Sequence, residues 1–106
     1  MAKANLVIKD RFVFHDGSIV EIKIWEVPAS KDKPHGYKYS FVYVVNGKRI
    51  IGYDNAESQG DHKHDGDKVA VYEFNGIDKL IDDFYTDIGR VREDESKKGK
   101  DRDKKS

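Results

Sequence analysis

His62 and His64 stand two residues apart in Gly60-Asp61-His62-Lys63-His64-Asp65-Gly66-Asp67. In an extended segment both side chains point the same way. Imidazole changes charge near neutral pH, so two of them can supply a general base and a general acid. Lys38, Lys63 and Arg49 are cations able to stabilise a pentacoordinate phosphate. Tyr37, Tyr39 and Tyr53 offer stacking surfaces for unpaired bases. Together these are the parts of a metal-independent ribonuclease. The base takes a 2′-hydroxyl proton, the oxygen attacks the adjacent phosphorus, and the acid protonates the leaving 5′-oxygen. Asp61 or Asp54 would orient one imidazole.

Each residue also admits a plainer reading. A polar His/Asp/Lys loop can be merely solvated, and tyrosines on a sheet are commonly core residues. Asp82, Asp83 and Asp87 fit the solvated face of a helix, and His15 beside Asp16-Gly17 fits a turn. A metal reading stands alongside: His62 and His64 with Asp54, Asp61, Asp65 or Asp67 offer nitrogen and oxygen donors for zinc or manganese. Five acids against Lys63 and Lys68 in residues 54–68 favour a cation. No known metal spacing is matched, so no metal and no cofactor are expected.

The elements that must position these groups are mostly strands. Residues 6–14 are rich in β-branched and aromatic types, with a polar break at Lys9-Asp10-Arg11. His15-Asp16-Gly17-Ser18 is a turn signal, and residues 19–27 alternate behind it. Val20, Ile22 and Ile24 share one side. After a proline-bearing loop, Tyr37, Tyr39, Phe41, Tyr43 and Val45 share a face. Asn46-Gly47 is the strongest hairpin signal in the chain, and residues 48–55 return as a strand. Gly52 inside that strand predicts a bulge or a close backbone approach. An unbulged register sets Asn55 opposite Lys38, gathering His35, Lys38, Tyr53, Asp54 and the start of the histidine loop at one end of the sheet. Residues 56–68 read as a long polar connection, and 69–74 as a short fifth strand. Ile77, Leu80, Ile81, Phe84, Ile88 and Val91 then form one helical stripe. The expected fold is α+β: a mainly antiparallel sheet of about five strands, two hairpins plus a short strand, with one C-terminal amphipathic helix packed on one face.

Length and composition narrow the function. The 106 residues suit one domain. Twenty basic and twenty acidic residues cancel, which argues against a long electrostatic track on duplex DNA. No apolar run reaches the roughly 20 residues of a membrane span. Nor does the N-terminus carry a signal-peptide stretch. With no cysteine, disulfides, thiolate zinc sites and cysteine nucleophiles are excluded, and a cytoplasmic setting is expected. Residues 93–106 hold 6 basic and 5 acidic groups and no apolar side chain, leaving 14 basic and 15 acidic in the body. With nothing to bury, this segment reads as a disordered charged tail, and the folding unit as residues 3–92.

Several segments, taken in order, resemble the TumE-like toxin family of bacterial and archaeal toxin–antitoxin modules. They are Asp16-Gly17-Ser18, Val20-Glu21-Ile22 with Trp25, His35-Gly36-Tyr37-Lys38-Tyr39, Gly52-Tyr53-Asp54-Asn55, and Gly60-Asp61-His62-Lys63-His64. The resemblance spans about residues 5–90. It implies a cytoplasmic toxin partnered by a small helix-turn-helix antitoxin, with RNA cleavage as the expected activity. On the matched positions, His62, His64, Asp61 and Asp54 are the expected catalytic set. His35, Tyr37, Lys38, Tyr53 and Asn55, joined by Arg49 from the charge argument, are the expected substrate contacts. Ala56-Glu57-Ser58-Gln59 is less basic than a phosphate-gripping loop. The chief alternatives are a non-catalytic protein- or RNA-binding module and a metal-dependent hydrolase using the His/Asp loop. A group-transfer enzyme lacks the support of a glycine-rich phosphate loop. Oligomeric state is left open.

Overall fold

The computed structural model describes residues 5–31, 33–55 and 60–105, with side chains through Asp94. Six strands form one antiparallel meander: β1 (Asn5–Val13), β2 (Ile19–Glu26), β3 (Tyr37–Val45), β4 (Lys48–Asp54), β5 (His62–Asp65) and β6 (Lys68–Val71). The order in space is the order in sequence. The fold is therefore α+β, as its patterning predicts, with one strand more than expected.

The alternation of β2, β3 and β4 is realised as a buried face. Val20, Ile22 and Ile24 align with Tyr43, Phe41 and Tyr39, which continue to Ile51 and Tyr53. All eight are at most 5% exposed. The Asn46-Gly47 turn has φ of 52° and 77°, the two positive values a type I′ hairpin needs. At the first hairpin, Asp16 Oδ1 accepts from both the backbone N–H and the hydroxyl of the buried Ser18, at 2.9 and 2.6 Å. That closes the turn without exposing orphan donors.

The extra strand is β5. It lies in residues 56–68, which read from sequence as a loop because they hold no aliphatic residue larger than alanine. Backbone pairing on both sides forms it instead: β5 pairs with β4 and β6, Gly66 N–H bonds Ile50 O at 2.8 Å, and Tyr72 N–H bonds Asp61 O at 3.0 Å. A strand edge left unpaired at β4 exposes a row of backbone groups, and a polar strand satisfies them as well as an apolar one. Strand β6 ends at Val71, short of the expected Phe74. Residues 56–59 lie outside the described residues.

The β3–β4 register also differs by one residue. Ser40 faces Asp54, which sets Asn55 level with Tyr39 rather than Lys38. The irregularity is at Ile50, between the Val44–Arg49 and Tyr43–Ile51 pairs, not at Gly52. One inserted residue flips every side chain before it to the other face. Arg49 is thereby moved off the core side and onto the side of Gly52 and Asp54.

The second compact unit is the helix, α1 (Ile77–Lys105), of 29 residues. Leu80, Phe84 and Ile88 of the apolar stripe are its buried positions. Lys79 and Asp83 pair at 3.0 Å across one turn. The helix runs on past Val91 through the charged segment for which composition predicts an unordered tail. That segment has no proline and is rich in lysine, a good helix former that extends an already nucleated helix.

Candidate functional site

The sheet separates the expected site residues into two clusters on opposite faces. Side chains alternate along each strand, so cross-strand partners share a face. On the polar face one row runs Lys9, Lys23, Ser40, Asp54, His62 and Val71. The next row runs Arg11, Glu21, Val42, Gly52, His64 and Val69. Lys38 faces Trp25 on this same side, its ammonium 5.8 Å from the ring centroid.

Asp54, His62 and His64 converge on that face. His62 Nδ1 donates to the Gly60 carbonyl at 3.1 Å, which turns Nε2 toward Asp54. Nε2 lies 2.8 Å from Asp54 Oδ1, while His64 Nε2 lies 3.6 Å from Oδ2. The two imidazoles meet edge to face, with centroids 4.9 Å apart. The contact between Asp54 Oδ1 and His62 has the length of an ion pair but not the directionality of a hydrogen bond. Oδ1 is buried and has no hydrogen-bond partner among the described residues.

Arg49 completes the group. A Cβ placed on Gly52 would lie 3.0 Å from Arg49 Cδ and 3.6 Å from His64 Cδ2. The glycine thus leaves the room in which the arginine lies over the strand beside His64. The close approach that Gly52 signals in sequence is made by a side chain, not by backbone. Burial lowers the pKa of His64 below the usual histidine value, and the Arg49 charge adds to it; Asp54 pulls the other way and His62 lowers it further. Gly52→Ala is expected to keep the fold, because the crowded atoms belong to a flexible side chain rather than to backbone. It should displace Arg49 and raise the His64 pKa, read by NMR titration of the ring protons; an unmoved titration refutes the role given to Gly52.

The second cluster sits on the buried face. Tyr37 N–H donates to His35 Nδ1 at 3.1 Å, so the His35 proton is on Nε2, which donates to Asp61 at 2.9 Å. Tyr39 O–H donates to the same carboxylate at 2.7 Å. Burial, with Asp61 accepting this bond, pushes the Tyr39 phenol far above its ordinary pKa, so it stays a neutral donor. Phe74 lies against His35 with centroids 3.9 Å apart and ring planes tilted by 31°. Asn55, 1% exposed, accepts from Tyr39 N–H and donates to Tyr37 O, extending the β3–β4 ladder with a side chain. Tyr53 is likewise 1% exposed and packs edge-on against Tyr72, with Lys63 over its ring.

Of the ten residues singled out from sequence, then, five share the polar face: Asp54, His62, His64, Arg49 and Lys38. His35, Tyr37, Tyr53, Asn55 and Asp61 belong to the other side and its edge. The carboxylate beside the paired histidines is Asp54; Asp61 holds His35 instead. Sequence reasoning used Trp25 for the family pattern but gave it no role; it is a large aromatic in the polar phase of β2, two residues after Lys23 and opposite Lys38.

Among the described residues no helix is long and apolar enough to cross a membrane. No curated protein and no solved structure matches the chain. One family model, described as Toxin TumE, matches residues 1–92, which takes in the whole sheet and both clusters. On that match the chain belongs to the TumE toxin family.

Proposed function

We propose that this toxin is the effector of a type II toxin–antitoxin pair and a metal-independent ribonuclease acting on cellular RNA in the cytoplasm, held in check by a helix-turn-helix antitoxin. The observation that supports it most is the convergence of His62, His64 and Asp54 beside Arg49 on one polar sheet face. The lowered pKa keeps His64 unprotonated at neutral pH, so it is the base that takes the 2′-hydroxyl proton. His62, held by its Nδ1–H bond to Gly60 O so that Nε2 lies 2.8 Å from Asp54, serves as the acid for the leaving 5′-oxygen. Arg49 neutralises the phosphate between them. Lys38 lies along the strand on the same face, and Trp25 beside it offers a stacking surface for an unpaired base.

Incubation with total RNA in excess EDTA tests the reading. Cleavage leaving 2′,3′-cyclic phosphate and 5′-hydroxyl ends is expected. Cleavage only after a divalent ion is restored moves the assignment to a metal-dependent hydrolase. No cleavage under either condition moves it to a binding module. In EDTA the acidic limb of kcat/KM should fall below pH 6.5, the ordinary histidine value. Arg49→Gln removes a like charge, favours the imidazolium, and should shift that limb to higher pH while lowering kcat.

A further inference from the structure

Asp54, His62 and His64 bring three Lewis bases together with no well-directed hydrogen between them. The His62 Nδ1 proton is committed to Gly60 O, so in the neutral ring the Nε2 lone pair faces the Asp54 carboxylate. Oδ1 of that carboxylate is buried with no hydrogen-bond partner among the described residues. A buried carboxylate oxygen left in this way calls for a hydrogen-bond donor or a cation. A divalent metal ion is a cation that all three groups can hold at once. One donor atom from each of the three residues lies within 4.8 Å of the others. Zinc ligands stand about 2.0–2.1 Å from the ion, so this spread closes with small side-chain rotations.

We propose that Asp54, His62 and His64 form a three-ligand site for a divalent transition-metal ion of the zinc type, and that the metal-loaded protein is the silenced form. Two imidazoles and one carboxylate suit zinc, and not magnesium or calcium, which take oxygen shells. The Gly60 carbonyl on His62 Nδ1 is the outer contact that commonly fixes a ligating imidazole. Asp54 and His62 are cross-strand partners and His64 is two residues on, so the paired strands β4 and β5 hold all three ligands. Arg49 beside His64 repels the ion, which makes the site reversible rather than structural. Silencing rests on the ribonuclease reading, because zinc occupies the lone pairs that acid/base transfer requires; binding itself does not.

Isothermal titration of the EDTA-stripped, dialysed full chain with zinc chloride tests the site. One ion per chain is expected, with no binding of magnesium at the same concentration. Asp54→Asn and His62→Ala should each weaken zinc binding by at least about 10-fold. His15→Gln, at an exposed turn, should leave it unchanged, and circular dichroism checks that each variant folds. Absence of zinc binding by the parent, or binding that both Asp54→Asn and His62→Ala retain, overturns the site. Silencing is read separately: RNA cleavage in metal-free buffer should stop at stoichiometric zinc and return with EDTA. Cleavage that rises with zinc overturns the silencing. Zinc binding in a protein that never cleaves RNA upholds the site and counts only against the ribonuclease.

Discussion

His64→Ala is expected to cleave RNA at least about 100-fold more slowly than the parent in EDTA, and His62→Ala to lose a similar factor, because each removes one proton-transfer partner worth roughly 10²–10⁴. Combining them should cost little more than the worse single variant, since base and acid serve the same displacement and their effects do not add. Neither change should unfold the chain. Both rings lie on the polar face, opposite the eight residues of the buried face. In cells, growth inhibition should vanish while the protein still accumulates. The measurement is rate against thermal midpoint for each variant: a large rate loss at an unchanged midpoint is the expected pair of results. Two variants that remain fully toxic overturn the acid/base assignment, whatever their stability.

The parts of this fold legible from sequence are those where apolar alternation and turn chemistry agree. Val20-Ile22-Ile24 and Tyr39-Phe41-Tyr43 announce the buried face, and Asn46-Gly47 announces the hairpin that joins β3 to β4. Strand β5 announces nothing, because His62-Lys63-His64-Asp65 is held by its neighbours' backbone rather than by apolar burial. The register shift at Ile50 is equally silent: no residue type marks it, yet it decides that Arg49 joins Gly52 and His64. The histidine pair was legible because spacing of two on an extended segment fixes a shared face. The choice between Asp54 and Asp61 as its carboxylate was not. These two stand on opposite faces once Asp54 is seen to pair with His62 across the ladder, and only the three-dimensional register supplies that fact.

That division between faces yields the second large effect. Asp61→Ala should destabilise the protein by about 2–5 kcal/mol, because it strips the acceptor from two donors at once. The Tyr39 hydroxyl, on a residue 2% exposed, and the half-buried His35 Nε2–H both lose their partner; a fully buried unmet donor costs about 1–3 kcal/mol, and the half-buried one less. Tyr39→Phe removes donor and need together, so it should cost less than Asp61→Ala. In the Tyr39→Phe background, Asp61→Ala should cost less again, which a double-mutant cycle reads as coupling. Asp54→Asn is the counterpart on the other face. It should barely move the thermal midpoint and should sharply reduce cleavage, since it weakens the carboxylate that holds His62. The two aspartates are thus separable by experiment: one variant loses stability and keeps whatever activity its folded fraction supports, the other keeps its fold and loses rate. If Asp61→Ala leaves the midpoint unchanged while Asp54→Asn unfolds the sheet, the roles given to the two faces are reversed.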